Sequence, residues 1–250
     1  MPPVPSSSSP SSPLSGPLAA GPASTRRLHH IPLSPFCRKV RLALAEKRLE
    51  VDLVEQTPWT RPMDFLRLNP AGAVPVLEDD AGHGRAVICD SAAICEYLEE
   101  TRPERPLLPG GPAERAEIRR LVAWFDDKMH REVTANLVDE RVMKKVRGHG
   151  HPDSGRIRAG SRNLATHLEY IGWLADQRRW LAGEEISLAD FAAAAHISCL
   201  DYIDYVVWEK APAPAKEWYQ RIKSRPAFRT ILADHLSGFP PPDHYADLDF

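Results

Sequence analysis

From Leu28 onward the apolar positions switch between the two-residue period of strands and the wider period of helices. Leu28 to Pro32 reads as a short strand. Ser34-Pro35 then sets a side-chain oxygen at a helix N-cap and a proline at the first helical position. Val40, Ala43 and Leu44 follow at i, i+3 and i+4, one face of that helix. Leu49 to Val54 alternates weakly, as a second strand. A mixed connection from Gln56 to Asn69 carries Trp59 and the apolar pair Phe65 and Leu66. Val74 to Leu77 is a compact buried strand, Arg85 to Ile88 its hairpin partner, and Ser91 to Glu100 a helix. The order βαβ then ββα predicts a thioredoxin-like α+β domain over residues 25–100.

Residues 101–111 hold three prolines and two glycines, too many for a helix to continue, and predict a linker. Everything after it has helical periodicity. Ala113 to Val138 carries Ile118, Leu121, Val122 and Phe125 at helical spacing, Ile157 to Leu174 repeats the pattern, and Leu188 to Tyr205 is the most apolar stretch of the chain. Between the first two, Met143 to Gly155 is rich in basic residues, His and Gly and predicts an exposed bend. The helix from Leu188 has the best local signal: Ser187 at the N-cap, Asp190 three residues on, and Ile186 with Phe191 as a hydrophobic staple. An all-α domain over 112–236 is the expectation, followed by a tail over 237–250.

Composition alters this picture at the ends. Residues 1–24 are nearly all Pro, Ser, Ala and Gly, which cannot bury enough apolar surface to offset ordering entropy, so a disordered segment is predicted. The tail is Pro-rich as well, yet it holds Phe239, Tyr245, Leu248 and Phe250 together with Asp243, Asp247 and Asp249. Two readings stay open: an extension packed on its own helical domain, or a partner-binding edge whose removal leaves the core intact.

Charge and cysteine content exclude several classes. A net charge of -2 supplies no basic field for nucleic acid or an anionic membrane. No run reaches the roughly 18 apolar residues of a membrane helix, and the N-terminus lacks a basic region followed by an apolar run. The four cysteines, at 37, 89, 95 and 199, lack the spacing of a zinc site or a disulfide framework. They read as thiols of a reducing compartment, and cytoplasm is the expected location. Ser34 stands where a CxxC motif would have its first cysteine, so dithiol chemistry at Cys37 is excluded and a buried apolar thiol is expected. His29 and His30, adjacent in a strand, face opposite sides. His149 and His151 have no third ligand at matching spacing, and no metal site is predicted.

The motifs Ser34-Pro-Phe-Cys37, Asn69-Pro-Ala-Gly-Ala-Val-Pro-Val-Leu77 and Cys89-Asp-Ser-Ala-Ala-Ile94 resemble the glutathione-binding half of the glutathione S-transferase superfamily. Leu181-Ala-Gly183, Ser187-Leu-Ala-Asp-Phe191 and Trp218-Tyr-Gln-Arg-Ile-Lys-Ser-Arg-Pro-Ala-Phe228 resemble its helical half. The resemblance spans residues 26–236. It implies that Ser34 is the hydroxyl that would activate the glutathione thiol in an active serine-type transferase, besides its local role as N-cap. Pro75 matches the superfamily's cis-proline, which presents the backbone of Val74 to an extended peptide. Asp90 and Ser91 match the pair that receives the γ-glutamyl end, again with capping as the alternative, and Arg61 is the candidate cation for the glycyl carboxylate. Glutathione is thus a possible substrate, and no resident cofactor is expected.

Pro58-Trp59, the Asn69-Pro-Ala-Gly72 run and the terminal Tyr-Ala-Asp-Leu-Asp-Phe narrow the resemblance to a family of GST-like bacterial division proteins. These are dimeric and bind filaments of the tubulin homologue FtsZ. On this resemblance the chain is a homodimeric FtsZ-binding regulator with little or no transferase activity, contacting its partner through Trp59, Tyr245, Asp247, Asp249 and Phe250. The long segment 1–24 stands outside the resemblance.

Overall fold

The computed structural model describes residues 25–80 and 84–248. The expected disordered segment 1–24 lies outside the described residues, as do Asp249 and Phe250. The N-terminal half runs β1 (Arg26–His30), α1 (Pro35–Glu46), β2 (Asp52–Glu55), α2 (Met63–Leu68), β3 (Val76–Asp79), β4 (Ala86–Cys89) and α3 (Ser91–Thr101). Its sheet has the order β2-β1-β3-β4, with β1 parallel to β2 and the other pairs antiparallel. The predicted α+β half and helical half are both present.

Two boundaries differ from the sequence reading for the same reason. Leu49 was expected in β2, but its N–H closes the end of α1 by donating to the Leu44 carbonyl at 2.9 Å, with Arg48 at φ 57. Tyr205 likewise donates to Leu200 at 2.9 Å, with Asp204 at φ 59, ending its helix before the expected place. This left-handed cap commonly uses glycine, so Arg and Asp there give no warning in the sequence.

The helical half begins with α4 (Pro112–Ala123) and runs without a break into α5 (Trp124–Met143) and a last turn, Lys144–Val146. Along α5 the turns widen to i→i+5 pairing, and the Lys144 N–H donates to Asp139. This rod exceeds the expected Ala113 to Val138. It is followed by α6 (Ser154–Gln177), α7 (Leu188–Tyr202), α8 (Ala213–Lys223) and α9 (Arg229–Leu232). Gly160 lets α6 approach α5 closely, since a Cβ there would lie 2.9 Å from Leu137.

Helix α7 is buried at every position and forms the centre of the core. Asp190 fixes its start. Its carboxylate accepts the backbone N–H of Ser187 at 3.0 Å and of Leu181 at 2.9 Å, and the Trp218 indole N–H at 2.9 Å. The Ser187 hydroxyl donates to it as well, at 3.1 Å. The capping pair visible in the sequence is therefore one side of a hub that also ties α8 to α7.

The tail takes the packed reading. Leu236 N–H donates to the Tyr202 hydroxyl at 2.7 Å, that hydroxyl donates to the Phe239 carbonyl at 2.8 Å, and Lys223 donates to the His244 carbonyl at 3.2 Å. Tyr245 is fully buried, edge-on to Tyr202 with centroids 5.1 Å apart, and its hydroxyl donates to Ile231. This corrects the expectation that Tyr245 is a surface contact: a ring sealed against α7 and α9 offers no partner a surface. It also corrects the expectation that removing residues 240–250 leaves the core intact.

Ser187→Ala is expected to cost about 0.5–2 kcal/mol, the usual loss of a cap. Asp190→Ala strands several buried donors and is expected to cost about 3 kcal/mol or more. Urea melts with the order reversed would refute the hub. Tyr245→Ala is expected to lose about 3–5 kcal/mol, in the range of large aromatic truncations. A melt level with wild type would return the tail to the surface.

Candidate functional site

The end of β1 sets the site. Ser34 N–H bonds back to the Ile31 carbonyl at 3.1 Å, turning the chain out of the strand, and its hydroxyl oxygen accepts the Cys37 N–H at 3.4 Å. Ser34 is the N-cap of α1 and stays half-exposed to a cleft of about 460 Å³ between the two halves of the molecule. Val74 lines the same cleft, just before a cis peptide to Pro75. Trp59 forms a side wall, half-buried, with the Arg147 guanidinium 5.8 Å from its ring centroid.

The remaining predicted positions are placed elsewhere. Pro75 is buried behind Val74, and neither Asp90 nor Ser91 lines the cleft. Asp90 has φ 77 and caps α3, accepting Ala92 N–H at 2.7 Å and Ala93 N–H at 3.3 Å. Ser91 is buried, and Arg61 is exposed away from the cleft lining. Asp247 is exposed. The cleft instead receives residues that the sequence reading had not connected with it: Phe36 from α1, His130 and Thr134 from α5, and Met143 and Arg147 at the far end of that rod. The i, i+4 spacing of His130 and Thr134 on a helix is the available signal, but nothing local says which face meets the other domain.

Beneath the cleft lies a buried polar chain. Lys39 pairs with one Asp126 oxygen, and the other faces His196 Nε2 at 3.6 Å. His196 Nδ1 meets the Thr134 hydroxyl at 2.8 Å. Burial holds His196 below its usual pKa, so the ring is neutral. An ionised Asp126 favours the N–H on Nε2, which leaves Nδ1 to accept the Thr134 proton.

Three of the four thiols are buried and offer no nucleophile, and desolvation with the neighbouring Asp90 raises the half-buried fourth, Cys89, as well. Burial pushes Cys37 and Cys199 up to about 11 and Cys95 up to about 12, so each is protonated at neutral pH. Among the described residues no group of three or more His, Cys, Asp or Glu side chains is placed to hold a metal. No helix among them is long and apolar enough to cross a membrane.

Comparison with known proteins places this geometry in a family. Residues 28–106 match the sequence model of the glutathione S-transferase N-terminal domain, and residues 162–226 match that of the C-terminal domain. The chain belongs to the glutathione S-transferase family. Within it, the chain is 50% identical over 225 residues to FtsZ-localized protein A of Caulobacter vibrioides, a match covering 90% of this chain and 98% of that one. Glutathione S-transferase 3 of Zea mays is 29% identical over 88% of this chain and 98% of its own. Among solved structures, a glutathione S-transferase from Rhodospirillum rubrum superposes with a TM-score of 0.86 at 56% identity, covering 90% of this chain and 100% of that one. FzlA from C. crescentus superposes with a TM-score of 0.87 at 49% identity, covering 90% and 99%.

The cleft histidine has a pH consequence. Burial lowers His130 from 6.5 to about 4, and does the same to His30. Between those values the unfolded chain binds more protons than the folded one, so stability falls as pH drops through that window. Urea melts at pH 7 and pH 5 are expected to show this fall, and His130→Gln is expected to shrink it. An equal fall in the variant would mean that His130 is not shielded as described.

Proposed function

We propose that this protein is a GST-like regulator of cell division that associates with FtsZ filaments, acting as a cytoplasmic homodimer with little or no transferase activity. The observation that carries this reading is the 50% identity to FtsZ-localized protein A across 98% of that protein, together with the TM-score of 0.87 to FzlA. Two features of the site support it. Oδ1 of Asp90 is engaged in capping α3, and Arg61, the candidate cation for the glycyl carboxylate, is not among the residues that line the cleft.

Of the contact residues named for the partner, Trp59 and Asp247 stay accessible, Tyr245 does not, and Asp249 and Phe250 lie outside the described residues. An active serine-type transferase is the second reading. Ser34 favours it, because its hydroxyl stands at the N-terminus of α1 beside Val74, where a helix end stabilises a thiolate.

Co-sedimentation with FtsZ filaments, run beside a calorimetric titration with glutathione, separates the two. The division reading expects the protein in the filament pellet, a reduced pelleted fraction for Trp59→Ala, and glutathione binding too weak to saturate at micromolar concentration. Micromolar glutathione binding with turnover that disappears in Ser34→Ala, and no pelleting, would establish the transferase instead.

A further inference from the structure

Between Arg141 and Arg162 the chain holds seven Lys or Arg residues and a single acid, Asp153, although its net charge is -2. Three of these cations are paired locally: Lys144 and Arg156 with Glu140 at 2.6 and 2.7 Å, and Arg147 with Asp139 at 3.7 Å. The other four, Arg141, Lys145, Arg158 and Arg162, are exposed and form no ion pair among the described residues. Two of them lie on aromatic rings. The Arg141 guanidinium is 5.7 Å from the Tyr205 centroid, and Lys145 Nζ is 4.8 Å from that of Phe239.

These pairings join neighbouring hollows into one ledge. Arg141 and Phe239 border a hollow of about 390 Å³ whose rim is Pro240 to Pro242. Tyr205, under Arg141, also lines the next hollow, of about 250 Å³, together with Ser161 and Val207, and Val207 is 50% exposed. Arg158 and Arg162, one helical turn apart on α6, flank Ser161 on the adjoining groove. The tail supplies Phe239 to this surface and is pinned there through Tyr202.

We propose that this ledge docks an acidic polypeptide segment carrying apolar side chains, and, resting on the division reading above, that the segment belongs to the filament partner. A guanidinium laid on a ring keeps its N–H edge free to take a carboxylate in bidentate fashion, and its orientation is already fixed, so little rotamer entropy is lost on binding. The exposed apolar steps between the cations give such a segment places for its side chains. A nucleic acid fits less well: its phosphates present an unbroken run of negative charge, whereas the cations of the ledge, Lys210 among them, are interrupted by the exposed acids Asp204 and Glu169.

The test uses the full chain, the double variant Arg158→Glu/Arg162→Glu, whose side chains hold no other element, and the conservative pair Arg158→Lys/Arg162→Lys. Binding is read by co-sedimentation with FtsZ filaments and by fluorescence anisotropy with labelled poly-glutamate, each at low and high salt. The Glu pair is expected to weaken both interactions by about tenfold and to flatten their salt dependence, the Lys pair to retain most of the binding, and melting temperatures to stay level. If wild type and the Glu pair sediment equally with filaments, the ledge is not the contact surface, while the division reading stands. If wild type ignores filaments but binds poly-glutamate through these arginines, the ledge stands and the division reading falls. Binding to neither, or tighter binding to duplex DNA or phosphatidylserine vesicles than to poly-glutamate, overturns the proposal.

Discussion

Arg38, a fully buried cation in the first turn of α1, is the constraint on which both halves of the molecule depend. Its Nε donates to the Pro32 carbonyl at 2.8 Å, one Nη to the Ser198 hydroxyl at 2.9 Å and the other to Asp234 at 3.3 Å. The same guanidinium lies 5.6 Å from the Tyr202 ring centroid and 5.9 Å from that of Tyr245. One side chain thus touches the turn before Ser34, the core helix, the chain beyond α9 and the tail. Its neighbours act alike: Lys39 pairs with Asp126 on α5, and Arg41 reaches Asp234 and the Thr230 carbonyl. A buried charge deprived of its partner costs about 3–5 kcal/mol, so a slip of α1 against the helical half would strand three cations at once.

Function inherits this arrangement. The cleft exists because Ser34 and Phe36 at the start of α1 are held against His130 and Thr134 of α5, and Lys39 anchors the Asp126–His196 pair beneath them. The tail lies where it does because Tyr245 closes over Arg38 and Asp201 gathers Trp208, Lys223 and His244 under it. Phe239 is carried by that tail to the basic end of α5, so the ledge is built from two distant parts of the chain.

Local chemistry was legible in the sequence. Ser34-Pro35 announced α1, Ser187 and Asp190 announced α7, and the succession of strands and helices along the chain followed from short apolar runs with turn residues between them. What escaped was decided by contacts across long separations. Nothing in the run Arg38-Lys39-Val40-Arg41 announces three buried cations, because neither Asp126 nor Asp234 can be assigned to them from spacing. Tyr245 reads as exposed beside three prolines, and only the bed formed by Tyr202 and Ile231 shows otherwise. A third of the cleft lining comes from α5, about a hundred residues after Ser34, so the sequence motifs supplied one wall and not the other. Asp90 was legible as either a ligand or a cap, and the structure uses it as a cap.

Hydrogen exchange on wild type and Arg38→Met tests this account most directly, since methionine keeps the bulk of the stem and removes the charge and every donor. Loss of protection is predicted to appear together in residues 31–34, in α7 around Ser198 and in residues 236–247, while β3 and β4 keep theirs. Loss confined to α1 itself, with the tail and α7 as protected as before, would contradict the claim that one buried cation holds these parts in register.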